Sequence, residues 1–267
     1  MKRLKLSILS SLLLLAGWFN IAEAQNLGVH PTILEYKLAP GQTEAQVIHM
    51  TNGSGKKLQF RLYLNDWMRD SLGGHMYFRP DTLPQSASSW VTVDKNFIEL
   101  EPGQNADIVV RLTLPNDVTL SEEMKWSMLF IESVEEQTQQ DVEGAQVRNL
   151  LRLGIHIYQT PPTLTEKQVK VIDITRSREE ENTWLLLCQN SGKIMVECNA
   201  YLELAALSDG KKTRIDVNEF PMFPGQRRYV SFKLPPDLPK GKYSALGVLD
   251  AGEDVSLEAV ETTIEIR

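Results

Sequence analysis

The 267-residue sequence has little of what usually carries chemistry: two cysteines, four histidines and 7% aromatic residues. Cys188 and Cys198 are separated by nine residues, which excludes the tight C-x-x-C spacing of a redox-active pair. His30, His49, His75 and His156 are scattered and match neither H-x-x-x-H nor H-E-x-x-H, so the spacing predicts no metal centre. There is no G-x-S-x-G elbow and no P-loop. Asp66, Asp70 and Asp81 do not fit a calcium-binding loop and read as solvated loop acids, as does the Glu179-Glu180-Glu181 run. Acids are abundant, yet nothing singles out a catalytic pair. The sequence therefore predicts neither an enzyme nor a bound cofactor.

Positive charge is also scarce. Residues 1–24 read as a signal peptide: a basic start (Lys2, Arg3, Lys5), an apolar run from Leu6 to Phe19, and Ala22-Glu23-Ala24 before Gln25. The apolar run is too short to span a bilayer, and no later run is longer. Removing three of 28 basic and one of 35 acidic residues leaves 25 against 34, a balance of −9. That excess of acid argues against nucleic acid and against an anionic membrane surface as partners. The mature chain is expected to be exported and soluble, with no membrane insertion. Export would allow Cys188 and Cys198 to oxidise. A disulfide closing so small a loop would stabilise by about 2–3 kcal/mol. Two buried free thiols on neighbouring strands fit the spacing equally well.

What the chain does have is strand signal. Leu58 to Asp66 alternates, with Leu58, Phe60, Leu62 and Leu64 facing in and Gln59, Arg61, Tyr63 and Asn65 facing out. Gly28–Tyr36 reads as one edge strand, since Pro31 cannot donate to a ladder. Glu44–Asn52, Trp90–Val93, Phe97–Leu100 and Ala106–Leu114 are further strands. Met124–Val134 is β-branched and aromatic enough to favour strand over helix. After Pro161-Pro162 come Val169–Thr175, Thr183–Gln189, Met195–Ala205, Arg228–Leu234, Tyr243–Asp250 and Thr262–Ile266. No segment shows helical periodicity with caps. The longest alternation runs from Val147 to Tyr158, with Val147, Leu151, Leu153, Ile155 and Ile157 on one parity. It reads as a single strand of roughly ten residues, longer than the usual five or six. An acidic, Gln-rich loop (Glu135 to Gln146) precedes it and a Pro-Pro hinge follows. As an edge strand it would be a docking rail for another chain.

The two halves echo each other. Pro102-Gly103-Gln104 precedes V-R-L-T-L-P-N-D, and Pro224-Gly225-Gln226 precedes V-S-F-K-L-P-P-D. T-N-G-S-G-K-K (51–57) resembles Q-N-S-G-K-I (189–194). An ordered series of short strands repeated once predicts an all-β chain of two tandem immunoglobulin-like β-sandwiches, over 25–160 and 161–267.

V-H-P-T-I-L-E-Y (29–36), F-I-E-L-E-P-G-Q (97–104), the strand around Trp126 and L-L-R-L-G-I-H-I-Y-Q-T-P-P (150–162) together resemble the PapD-like periplasmic pilus chaperones, across essentially the whole mature chain. The resemblance implies a periplasmic, non-enzymatic chaperone that binds protein subunits of the envelope or cell surface. In that family the long strand completes a subunit lacking its own final strand. By position, the donors here would be Val147, Leu151 and Leu153, with polar Asn149 interrupting the series. The family also anchors the subunit's terminal carboxylate with an Arg and a Lys. The matching positions here are Ile33 and His156, and a histidine binds a carboxylate only when protonated. Ile155, Ile157 and His156 complete the expected partner-binding set. The alternative is a structural or adhesive envelope module that binds a folded protein or cell-wall glycan, with Trp67 and Trp90 as aromatic surface; packing across a sandwich is the commoner fate of such residues.

Overall fold

The computed structural model describes residues 27–134, 137–140 and 146–266. The signal peptide read from residues 1–24 lies outside the described residues. The first group of strands comprises β1 (Leu27–His30), β2 (Ile33–Tyr36), β3 (Thr43–Asn52), β4 (Leu58–Arg69), β5 (His75–Phe78), β6 (Val91–Val93), β7 (Phe97–Leu100), β8 (Asn105–Thr113), β9 (Lys125–Ser133), β10 (Gln137–Gln140), β11 (Gln146–Asn149) and β12 (Arg152–Gln159). The second comprises β13 (Val169–Arg176), β14 (Thr183–Asn190), β15 (Val196–Ala206), β16 (Lys212–Asp216), β17 (Phe220–Met222), β18 (Arg227–Lys233), β19 (Gly241–Asp250) and β20 (Glu258–Ile266).

These strands build two immunoglobulin-like sandwiches. In the first, the sheet β1-β3-β8-β6 faces the sheet β2-β12-β9-β4-β5, with β7 also on β4. Alternation places Ile48, Met50, Phe60, Leu62, Ile108, Val110, Leu129 and Ile131 between them as one core. In the second, β13-β14-β18 faces β16-β15-β19-β20, around Leu186, Val196, Leu202, Leu204, Phe232 and Leu249. Cys188 and Cys198 lie fully buried in this second core as free thiols. Burial pushes both thiols up to about 12, which leaves them protonated and unreactive at neutral pH.

Two readings from the sequence are corrected. Gly28–Tyr36 is not one strand: the chain breaks at Pro31, and β1 pairs with β3 while β2 pairs in parallel with β12 in the opposite sheet. A proline without an N–H suits that crossing point. The loop read from Glu135 to Gln146 contains β10, which pairs antiparallel with β11 from Gln137↔Asn149 to Gln140↔Gln146. That ladder joins backbone groups and leaves no apolar alternation to read. In consequence the strand expected over 147–158 is two strands, β11 and β12, with Leu150 and Leu151 between them.

The internal echo has a physical basis. Asn52 ends β3 with its side chain buried; its Nδ2 donates to the carbonyls of Lys56 (2.7 Å) and Leu100 (3.0 Å). Asn190 ends β14 the same way, donating to Ile194 (2.8 Å) and Met222 (2.8 Å). Each asparagine also exchanges backbone bonds with its Pro-Gly-Gln turn. Gly103 N–H donates to Asn52 O and Asn52 N–H to Gln104 O, just as Gly225 donates to Asn190 and Asn190 to Gln226. Gly103 and Gly225 have φ of 74° and 75°, a region open to glycine. The glutamine side chains close the turns, accepting from the Glu101 N–H (2.8 Å) and the Phe223 N–H (3.0 Å). Asn52→Ala removes the side-chain donor to the buried Leu100 carbonyl, and Asn190→Ala removes those to the buried Ile194 and Met222 carbonyls; losses of about 1–2 and about 2–3 kcal/mol are expected in chemical denaturation. A loss below about 1 kcal/mol in either would show that water replaces the amide.

Candidate functional site

The sheet that contains β12 has two differently employed faces. Its inner face feeds the first core. Its outer face carries Gly154, His156 and Tyr158 from β12, Trp126, Met128 and Phe130 from β9, Tyr63 and Trp67 from β4, and His75 and Tyr77 from β5. Ile194 and Phe223 of the second sandwich pack onto this face, which makes a third, aromatic core between the sandwiches. Trp67 is its centre, 0% exposed, with ring centroids 4.9 Å from Phe223, 4.9 Å from His75 and 5.0 Å from His156. Trp126 Nε1 donates to the Trp67 carbonyl at 2.8 Å. Gly154 lies close beneath Met128: a Cβ there would stand 2.7 Å from the Met128 sulfur.

Backbone bonds hold the junction as well. Met124 N–H donates to Lys193 O (2.9 Å), and Tyr229 N–H donates to Ser71 O (2.7 Å) in the β4–β5 turn. Asp70 shapes that turn by accepting from the Leu72 and Gly74 N–H groups, each at 2.8 Å. Asp66 is no solvated loop acid: its buried carboxylate accepts from Thr82 and Leu83 N–H and from Ser86 and Ser88 hydroxyls at 2.6–2.9 Å, and so pins the segment leading to β6.

The expected partner-binding residues divide. Ile155 and Ile157 are 0% exposed and belong to the first core, so they face the molecule's own interior and not a partner. The reason is local. From His156 to Gln159 the strand has neighbours on both sides, β2 and β9, and its inward parity is sealed by the opposite sheet. Leu151 and Leu153 are half-buried at the open end of that core. Val147 and Asn149 belong to β11, where Val147 pairs with Gln139; their side chains lie outside the described residues. Ile33 and His156 are brought directly opposite each other in the β2–β12 ladder. Ile33 is 48% exposed and apolar. Burial, with His75 and Arg69 nearby, lowers the His156 pKa to about 4, so the ring is neutral at pH 7 and offers no charge to a carboxylate. Of the two tryptophans read as surface aromatics, Trp67 is wholly internal and Trp90 is half-buried against the first core. Sequence periodicity does not reveal the aromatic junction, because its residues come from four strands of the first sandwich and from Ile194 and Phe223 in two loops of the second.

The edge of β12 away from β9 is open over its first half. His156 N–H donates outward to Thr32 O, and Leu151 O accepts from Ser133 N–H on the β9 side. By strand alternation the N–H and C=O groups of Arg152 and Gly154 point outward too. Among the described residues no strand pairs with them.

Neither a family model nor a curated protein matches the sequence. Solved structures do. A chain of the CsuC–CsuE chaperone–tip adhesion subunit pre-assembly complex, from the archaic chaperone-usher Csu pili of Acinetobacter baumannii, is 12% identical, with 88% of this chain and 97% of that chain covered and a TM-score of 0.50. A chain of the chaperone–tip adhesin complex of CFA/I fimbriae is 12% identical over 89% and 98% (TM-score 0.47). The CupB2 chaperone of Pseudomonas aeruginosa is 15% identical over 89% and 98% (TM-score 0.41). The chain thus has the fold of the PapD-like pilus chaperones, two immunoglobulin-like sandwiches in tandem, at a sequence identity that marks it as divergent.

Proposed function

We propose that this chain is a non-enzymatic, periplasmic chaperone-like assembly protein that binds protein subunits of the envelope or surface by strand addition along β12. The observation that carries the reading is the unpaired edge at Arg152 and Gly154, next to half-buried Leu151 and Leu153 at the mouth of the first core. An incoming strand gains main-chain hydrogen bonds from the edge and apolar contact from the leucines, which together favour an unpaired, apolar strand over a finished surface. The fold shared with the CsuC–CsuE complex, whose name records a chaperone and a tip subunit, supports the same reading. With Ile33 and neutral His156 at the base of the edge, the grip on the partner rests on backbone pairing and apolar contact more than on a charged anchor.

The test is the double variant Leu151→Lys/Leu153→Lys. Lysine stems reach solvent from half-buried positions, so the fold is expected to survive, as circular dichroism would verify. Recovery of co-expressed strand-deficient subunits is expected to fall at least tenfold. Undiminished recovery by a folded double variant would overturn docking on this edge.

A further inference from the structure

His75 and His156 lie 81 residues apart in sequence, yet their Nε2 atoms stand 3.5 Å from each other. They come from β5 and β12 of one sheet and both rings lean on Trp67 (centroids at 4.9 and 5.0 Å). Tyr77 stacks on His75 with an interplanar angle of 8°, and Tyr158 stands 5.7 Å from His156. Two imidazoles are thus fixed by a rigid sheet and an aromatic packing shell, with their ring nitrogens converging at the open side of the junction.

We propose that His75 and His156 form a two-histidine chelate for a tetrahedral divalent ion, zinc foremost. At a Zn–N distance of about 2.05 Å, a 3.5 Å separation corresponds to an N–Zn–N angle of about 117°. That lies near the tetrahedral value and far from the roughly 90° that square-planar or octahedral ions demand. His75 is exposed, which gives the ion a way in. Of four tetrahedral positions, two remain for water or for an oxygen of a bound partner. Arg69, cross-strand from His75, is the nearby charge that opposes a cation, and it keeps the site weaker than a structural zinc centre.

The experiment is calorimetric titration of the mature protein with Zn²⁺ alone, with Ni²⁺ as the octahedral comparison. One zinc per chain is expected, bound more tightly than nickel. His75→Gln and His156→Phe are each expected to weaken it at least tenfold. A His49→Ala control removes the competing His49–Asp107 pair (2.7 Å) and is expected to change nothing. The thermal midpoint provides a second measure: it is expected to rise with zinc in the parent protein and not in His75→Gln, whose side chain is exposed and whose fold is expected to persist. No zinc binding at millimolar concentration overturns the proposal, as does equal binding by His75→Gln or loss of binding in His49→Ala.

Discussion

Replacing Trp67 with alanine is expected to cost about 3–5 kcal/mol and to let the two sandwiches unfold separately. The side chain is wholly buried and touches both sides of the junction: Trp126, His75, His156 and Tyr158 from the first sandwich, Phe223 from the second. Removing it leaves a cavity that neither sheet can close, because each is held by its own ladder and its own core. The first and second cores remain intact in the variant. The loss should therefore appear as a split or broadened denaturation curve, with the earlier transition belonging to the junction and the sandwich it leaves unsupported. Trp67→Phe keeps most of the volume and should lose much less. A single cooperative transition in Trp67→Ala, shifted by less than about 1 kcal/mol, would show that the junction contributes little.

The second large effect is expected at Glu132. Its carboxylate is 2% exposed and is held by Arg61, by Arg152 Nε (2.6 Å) and by the Tyr63 hydroxyl (2.7 Å). These residues come from β9, β4 and β12, so one acid ties three strands of the sheet that carries the open edge. Burial works against its charge, but the hydrogen bonds from Tyr63, Arg61 and Arg152 outweigh that penalty and lower its pKa from 4.5 to about 2. Glu132→Gln is expected to lose about 1.5–2 kcal/mol, because it gives up charge-assisted hydrogen bonds to a buried carboxylate while the two guanidinium groups stay largely in water. The pH dependence has a definite sign. A carboxylate whose folded pKa is depressed contributes stability that is fully present above about pH 4.5 and lost as the pH falls through about 2. The parent should lose stability over that window, and Glu132→Gln should lose less there. Parallel pH profiles for the two proteins would refute the assignment.

Much of the fold was legible because strands on a two-faced sheet must alternate. Phe60 and Leu62 are buried as their parity predicts, and the repeated Asn and Pro-Gly-Gln signals mark equivalent corners of the two sandwiches. Parity does not say what seals a face. The apolar side of β12 reads the same whether it meets a partner or the opposite sheet, and for Ile155 and Ile157 it meets the sheet. Pro31 showed that a ladder had to be interrupted, but not that the chain would change sheets there. The β10–β11 hairpin escaped notice because polar strands pair through backbone alone. The histidine pair escaped notice because motif spacing reports neighbours along a chain, whereas His75 and His156 meet only through the sheet.

The short parallel pairing of β2 with β12 has a further consequence. Since β2 occupies the edge only from His156 to Gln159, it would set the end point of a strand docked beside it in the proposed way. A strand laid along Arg152–Ile155 has room for about four residues, roughly 13 Å at 3.3 Å per residue, before it meets Thr32 and Ile33. Its register is then set by length and contact with an apolar wall. A client of this protein would be measured from its tip inward, and one whose apolar pattern begins a single residue late would present the wrong face to Leu151 and Leu153.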